Sequence, residues 1–329
     1  MIDRLRDFAT DPVGHLRWWK EKAERKARQR ELVAAARSRL SPIELSSHPE
    51  SEVHILTGHR LLGDCLWAVS SLYANLPTKY PLVVHDDGSL TSADQDLLTG
   101  LFPGCRIIAR SEADAKIERA LRERGLGVLE EWRRAQVVGL KVFDVQMYSR
   151  GRRVLFMDVD ILVMERPDEL IEYMEGGRDA EVTLYNEDVE NWYAWTVEHL
   201  RERVSPEVPE RVNSGLMCYS RPELEWERYE EWLDLLDPTD NKFHLEQTLW
   251  AMELAFRPSE ALPPRYDVHH RHAWDGMDPA VALRDRDHGR PVITQHYSGR
   301  WDYKAMFYDA IRGSLMESEW AGSTGGARR

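Results

Sequence analysis

The 329-residue chain has little cysteine, three in all. Cys65, Cys105 and Cys218 are too few and too scattered for a metal-ligand spacing or an even disulfide framework, so a reduced, cytoplasmic setting is expected. No apolar run approaches the roughly 18 residues that a bilayer span needs. The start, Met1-Ile2-Asp3-Arg4-Leu5-Arg6-Asp7, has no apolar stretch behind its charges and does not read as a secretory signal. A basic surplus is missing too. Lys+Arg number 44 against 57 Asp+Glu, a net charge of −13, which excludes a general nucleic-acid binder because phosphate neutralisation needs excess cations. There is no internal repeat.

What is present is material for a core. Apolar residues make up 42% and charged residues 31%, so the chain reads as globular, with one large domain or two ordinary ones. Residues 1–40 stand apart, carrying 11 Lys/Arg against 6 Asp/Glu in an otherwise acidic chain. Residues 16–40 read as one charged helix with a thin apolar stripe of Leu16, Trp19, Ala23 and Ala27, stopped by Ser41-Pro42. From residue 52 onward, short apolar runs alternate with helical stretches, the α/β pattern. Strands are expected at 53–58, 81–88, 106–109, 153–160, 181–185, 216–220 and 291–296. Helices are expected at 61–73, 91–102, 112–124, 130–149, 222–236 and 243–256, with Thr91 and Asp94 forming a capping box. The chain then divides into a basic helical arm (1–48), an α/β domain with a mostly parallel sheet flanked by helices (49–313), and a loose Gly/Ser-rich tail (314–329).

The most informative run is Val154 to Val163, V-L-F-M-D-V-D-I-L-V. Its unbroken apolar start fits a central strand covered on both faces. Strand alternation would aim Asp158 and Asp160 the same way, at the carboxyl edge where open α/β sheets bind ligands. Two carboxylates held together need a cation or a shared proton, and hard divalent ions such as Mn²⁺ or Mg²⁺ favour such oxygens. The bland alternative is a pair of surface turn carboxylates.

This run resembles the Asp-x-Asp region of GT-A-fold glycosyltransferases, particularly the glycogenin- and galactosyltransferase-like retaining family. Three further stretches resemble that family's landmarks in its order. They are Asn213-Ser214-Gly215, Glu246-Gln247 where the family has Asp-Gln, and His296-Tyr297-Ser298-Gly299, whose histidine completes the family's metal site. The resemblance covers residues 52–304. It implies a GT-A, Rossmann-like fold and transfer of a sugar from a nucleotide-sugar donor, a UDP-sugar by expectation, to an unidentified glycan, lipid-linked or peptide acceptor with retention of configuration. It implies Mn²⁺ or Mg²⁺ on Asp158, Asp160 and His296, and catalytic roles for Gln247, Glu246 and Asn213. Donor contacts would come from Thr57, Asp86, Asp87, Lys141, Asp158, Gly215, Gly299, Arg300 and Lys304. The family's motif lysine is absent: Asp302 stands at its position, leaving Arg300 or Lys304 to supply the charge.

Each residue also has a plainer explanation. Asn213 to Gly215 fits a turn, as do Thr57-Gly58 and Asp86-Asp87. Lys141 fits a solvated helix lysine, Gln247 a helix-surface residue and His296 a hydrogen-bonded structural histidine. Trp192, Tyr193 and Trp195 form either a shelf for an acceptor sugar or part of the core. Glu187, Asp188 and Glu190 are reserve candidates for a base should the reaction invert. His269, His270 and His272 read as polar loop after Pro263-Pro264.

Rival activities are weaker. A haloacid-dehalogenase-like phosphatase also begins with a strand ending Asp-x-Asp, but its later acid pair, Asp275 and Asp278, lacks an apolar strand before it. A nucleotidyltransferase needs a Gly-rich phosphate loop, of which Thr57-Gly58-His59-Arg60-Leu61-Leu62-Gly63 is a poor version. A non-catalytic sugar-nucleotide-binding module would fit the missing lysine. For the arm, the readings are a peripheral anionic membrane contact and packing on the chain's own acidic domain or on a second subunit as a homodimer, the packing favoured because the apolar stripe is thin and Glu21, Glu24 and Glu31 dilute the basic face.

Overall fold

The computed structural model describes residues 12–221, 225–236, 244–268 and 292–296. The basic segment is a helix, Pro12–Arg39. Its expected stripe is corrected, since Ala23 and Ala27 are exposed, and the side chains of Leu16, Trp18 and Trp19 lie outside the described ones. The contact is made further along, by Gln29, Leu32 and Ala36, all buried against the helix Leu62–Asn75. A polar residue leads because that helix begins there with unsatisfied N–H groups. Gly63 N donates to Gln29 Oε1 (3.0 Å), Gln29 Nε2 donates to the buried Asp64 carboxylate (2.5 Å), and Trp67 Nε1 donates to Leu32 O (3.1 Å). The helix therefore docks on its own chain over its second half. The segment after it is pinned as well, by Ile43 N to Leu101 O (2.8 Å) and Ser46 N to Lys79 O (2.7 Å).

Among the described residues ten strands follow: β1 (Ser51–Thr57), β2 (Leu82–Asp86), β3 (Arg106–Ile108), β4 (Arg153–Met157), β5 (Ile161–Val163), β6 (Thr183–Glu187), β7 (Val212–Ser220), β8 (Ser259–Ala261), β9 (Tyr266–Val268) and β10 (Thr294–His296). Seven form one sheet in the order β3-β2-β1-β4-β7-β6-β8, and β5-β10-β9 form a second. Within the large sheet β7 alone runs against its neighbours, so the sheet is mostly parallel. The chain steps outward from β1 through β2 to β3 and returns to the other side of β1 as β4. That reversal leaves a crevice between the carboxyl ends of β1 and β4, where open α/β sheets take ligands. Two apolar clusters cover the sheet, one including Phe143, Phe156 and Trp250 and the other Leu66, Leu155 and Tyr173.

Several expected elements differ in extent. The expected helix 130–149 is two helices, Gly127–Ala135 and Gly139–Tyr148, and the reversal between them lets fully buried Arg133 clamp Asp144 through Nε and Nη2, both at 3.0 Å. The expected strand 153–160 ends at Met157, and the 216–220 strand begins earlier, at Val212. β5, β8 and β9 and the helices Asp168–Met174 and Val197–Arg203 have no counterpart in the expectations, being too short to show a period. Thr91 and Asp94 do form the capping box. The tail and the His269, His270 and His272 tract lie outside the described residues.

Beneath the carboxyl ends of β1 and β2 lies a buried polar cluster. His54 Nδ1 meets His85 Nε2 at 3.0 Å, and His54 Nε2 faces Glu52 at 3.4 Å and the Ser149 hydroxyl at 3.3 Å. Burial would raise the Glu52 pKa, but its bond with His54 and those from the Arg150 and Gly151 amides hold it at about 2; Arg106 pairs with its other oxygen at 2.9 Å. Burial pushes both histidines below the ordinary value, with Arg106 adding to the effect and Glu52 opposing it. Because they stay neutral when folded, the unfolded chain binds protons first as pH falls, and stability drops below about pH 6.5, by up to about 1.4 kcal/mol per pH unit for each histidine. A second loss follows between the ordinary glutamate range and about pH 2 as Glu52 protonates. Tm measured from pH 7.5 to 5 should decline in the wild type, and His85→Gln should flatten that limb. A flat wild-type profile would count against the buried neutral pair.

A candidate active site at the carboxyl edge of the sheet

β4 is driven into the core by Val154 to Met157, all buried, and then stops. Asp158 N donates to Gly215 O (2.7 Å), while Ile161 N closes a turn on Asp158 O (3.2 Å) before β5 begins. Strand alternation is thus not what brings Asp158 and Asp160 together. They share a tight turn whose Val159 is buried, and the turn aims both carboxylates at β10. His296 ends β10, held in register between Ile161 and Val268. Ligand atoms of Asp158, Asp160 and His296 all lie within 4.8 Å of one another, with His296 Nε2 3.2 Å from Asp160 Oδ1.

Gly215, on the neighbouring β7, is what lets this triad close. A Cβ there would stand 2.6 Å from His296 Cε1, 2.9 Å from Asn213 Oδ1 and 3.1 Å from Asp158 Oδ2. The resemblance makes this glycine a donor contact, as a residue without a side chain lets a sugar approach the backbone. Its neighbours supply a second reason, room for the histidine and the aspartate.

Lys141 is no solvated helix lysine. It is buried on the helix Gly139–Tyr148, its Nζ 2.8 and 2.9 Å from the two oxygens of Asp158 and 3.5 Å from Glu246 Oε2, and lies over the Phe156 ring. Burial works against its charge, but Asp158 and Glu246 outweigh burial and hold the ammonium above the ordinary lysine range. Burial, with Asp158 beside it, pushes the Glu246 carboxyl up to about 7 although Lys141 opposes the shift. Asp158 is likewise raised, by burial and by the charge of Asp160. His296 goes the other way: burial disfavours its protonation, yet Asp160, Asp158 and Asp188 raise it overall. A site in which two buried carboxyls, Asp158 and Glu246, resist ionisation is short of positive charge, and the donor set of two carboxylates and an imidazole fits Mn²⁺ or Mg²⁺. Buried His296 Nδ1, which has no hydrogen-bond partner, agrees with that fit.

Asn213 Nδ2 donates to Asp188 Oδ2 (2.9 Å), its Oδ1 accepts from Gly215 N (2.9 Å), and Ser214 Oγ donates to Glu246 Oε2 (2.8 Å). The helix Leu245–Leu254 is thereby fixed over β7, and Glu246 reaches the same edge. Of the reserve acids only Asp188 arrives; Glu187 is exposed and paired with Arg211, and Glu190 is exposed. At the other flank Asp86 Oδ1 accepts from the Gly88, Ser89 and Leu90 amides, and Asp87 Oδ1 from Ser89 N and Oγ, so both acids build the turn that follows β2. A side chain at Gly58 would collide with the Asp87 carboxylate, which brings that turn against Thr57. Gly299, Arg300, Asp302 and Lys304 lie outside the described residues, as do Asp275 and Asp278.

The sequence reading missed Asn186. It sits on β6 opposite Asn213, fully buried, beside a register shift at Tyr185/Asn186. Neither its amide nitrogen nor its oxygen has a partner, and the same is true of Glu246 Oε1 and Gln247 Nε2. Buried polar atoms are rarely left so, and those of Asn186 and Glu246 flank β7 on either side of Asn213 and Ser214, which is what a pocket for a polar ligand leaves behind.

The fold and this acidic, histidine-completed edge define a GT-A architecture. No protein-family model and no curated protein sequence matches the chain. Among solved structures, the galactosyltransferase LgtC, in complex with donor and acceptor sugar analogs, is similar at 17% identity, covering 84% of this chain and 98% of its own, with a TM-score of 0.51. The bifunctional glycosyltransferase WbbM is similar at 13% identity over 83% of this chain and 51% of its own, with a TM-score of 0.50. The chain therefore has the GT-A fold expected from its Asp-x-Asp run.

Proposed function

We propose that the protein is a metal-dependent glycosyltransferase that moves a sugar from a nucleotide-sugar donor, a UDP-sugar, to an acceptor glycan, lipid-linked saccharide or peptide. The convergence of Asp158, Asp160 and His296 at the switch-point edge, beside unpartnered buried polar atoms, carries this reading. Asp158, Asp160 and His296 would hold Mn²⁺ or Mg²⁺. When bound, such an ion supplies Lewis-acid stabilisation of negative charge on a departing diphosphate. Thr57 and the Asp86-Asp87 turn bind the nucleoside end, next to the switch point. Lys141 neutralises Asp158 and adds a fixed positive charge to the diphosphate region. Asn213, Glu246 and Gln247 take the hydroxyls of the transferred sugar, Glu246 through its unpartnered Oε1 and Gln247 through Nε2. Arg300, Lys304 and Gly299 remain candidates for the diphosphate in place of the absent motif lysine. The transferase unit is residues 49–313, and the exposed Lys20, Lys22, Arg25 and Lys26 of the arm are the surface for any peripheral membrane or homodimer contact. No described helix is long and apolar enough to cross a membrane. A phosphatase reading finds less support, because Asp158 is held by Lys141 at both oxygens and is poorly placed to act as a nucleophile.

Incubation with labelled UDP-, GDP- and TDP-sugars, with Mn²⁺ or with EDTA, tests this function; release of UDP that needs the metal is the expected result, and release of phosphate from a phosphoester would favour the phosphatase. Retention is expected in addition. An inverting reaction needs a free carboxylate to deprotonate the acceptor, and the one reserve acid at the site, Asp188, is engaged by Asn213. NMR of the first-formed linkage from an α-linked donor should show an α product; a β product would refute retention.

A further inference from the structure

We propose that Gln29, on the N-terminal arm, is a positioning residue for the donor: by holding the start of the helix Leu62–Asn75 it sets the turn after β1 on which the nucleoside end rests. This rests on the proposed glycosyl transfer and gives the arm a part in it. β1 ends at Thr57, Gly58 continues extended, and His59–Leu61 make a 3-10 turn closed by Leu61 N on Gly58 O (2.9 Å). The helix then starts at once, at Leu62. No slack residue separates the two. β1 also runs parallel to β4 with His54 opposite Phe156, and the same register carried forward sets Thr57 beside the turn of Asp158 and Asp160.

The turn is held upstream by β1 and sideways by the turn after β2. Asp87 N donates to Thr57 O (2.8 Å), His59 N donates to Ser89 Oγ (2.9 Å), and His59 Nδ1 lies 2.8 Å from Asp94 Oδ2. Its downstream support is the arm. Gln29 takes the Gly63 N–H and donates to Asp64 in the first turn of the helix, and the arm packs on His59–Leu61 as well. A Cβ at Gly63 would stand 2.7 Å from Leu32 Cβ and 2.8 Å from Gln29 Oε1, so the two helices meet at the closest approach a glycine permits. Helices that follow a strand in α/β folds often offer their first N–H groups to a phosphate; here the Gly63 N–H is committed to the arm instead.

Glutamine suits this place because its amide both accepts and donates, answering a backbone N–H and a carboxylate on successive residues. Without it those two groups lose the bonds the arm supplies, which is costly inside the protein, and the helix start shifts toward other partners. The shift passes along the short connection to Thr57. Little room exists to absorb it there, since a Cβ at Gly58 would stand 2.1 Å from Asp87 Oδ1 and the backbone already lies against that carboxylate. Of the supports, the arm alone is an element outside the sheet, and its buried side chains among the described residues are Gln29, Leu32 and Ala36, so it can undock while the α/β fold persists. Docking of the arm and binding of the donor are then coupled, and whatever factor the docked arm adds to donor affinity the donor adds to docking.

Titration of UDP with Mn²⁺ into the full chain tests this, in the wild type, in Gln29→Ala and in Gly63→Ala, which keeps Gln29 and pushes the arm off with one methyl group. Both variants should bind UDP about tenfold more weakly, and in transfer assays both should raise the donor KM far more than they lower kcat. Circular dichroism establishes that each variant is folded. Hydrogen exchange of the wild type needs no substitution. Saturating UDP with Mn²⁺ should slow exchange about tenfold in arm peptides covering 29–36, and leave unchanged those of the helix Trp226–Leu236, which packs on Gly127–Ala135. A purely structural Gln29 would lower Tm on substitution and move neither UDP affinity nor wild-type exchange. Wild-type UDP affinity in folded Gln29→Ala, arm exchange indifferent to UDP, or equal slowing in the control helix would each overturn the proposal. Failure of UDP to bind the wild type overturns glycosyl transfer itself, whereas UDP binding that ignores the arm overturns only the positioning role.

Discussion

Asp160→Ala should lower sugar transfer by about a thousandfold while leaving Tm close to that of the wild type, because the lost ion pair with His296 is offset by relief of the repulsion on Asp158. Its side chain is partly exposed in the turn after β4, so truncation opens no core cavity. Asp158 is already disfavoured as an anion by burial and by the charge of Asp160, so removing Asp160 relieves a repulsion that the folded chain carries. Loss of activity with stability nearly unchanged is the signature of a residue kept for function. Transfer rates and thermal melts of the same preparation check it. Full activity of the variant in EDTA would rule the cation site out.

Gly215→Ala is the second large effect, and it comes from one methyl group. The added carbon would stand 2.6 Å from the His296 ring, well inside van der Waals contact, and close to Asp158 and Asn213 as well. The Asn213 and Asp158 side chains can shift. The histidine is harder to move because β10 is fixed between β5 and β9. Overpacking of this kind costs about 1–3 kcal/mol, so the protein should stay folded with Tm lowered by several degrees. The triad, however, should be spread apart, with Mn²⁺ affinity down at least about tenfold and transfer down about a hundredfold. Manganese titration by EPR, set beside a thermal melt, separates the two consequences. Wild-type Mn²⁺ affinity in the variant would show that the close packing around Gly215 does not set the site.

The sequence made the central edge legible where long-range patterning was strong. Four apolar residues ahead of Asp158 could only be a covered strand, and Asn213, Glu246 and His296 stood in an order that matched one fold. The physical reason given for the Asp158–Asp160 pair was nevertheless wrong in detail, since a turn and not strand alternation aims them, and period-2 reasoning cannot see where a strand stops. The arm illustrates a different limit. Periodicity picked Leu16 through Ala27, but the contact is made by Gln29, whose amide answers two polar groups at the start of a neighbouring helix, and no apolar pattern encodes that. Lys141 looked like any helix lysine until the break before Gly139 turned its helix toward Asp158. Asn186 carried no signal at all: its interest lies in having no hydrogen-bond partner, which only the folded arrangement reveals.

The most direct test of the whole account is titration calorimetry of UDP into the wild-type chain, once with saturating Mn²⁺ and once in EDTA. If Asp158, Asp160 and His296 hold a cation beside a nucleoside-diphosphate pocket, UDP should bind in Mn²⁺ and bind at least about tenfold more weakly in EDTA. Equal UDP affinity in both conditions, or no UDP binding in either, would contradict it.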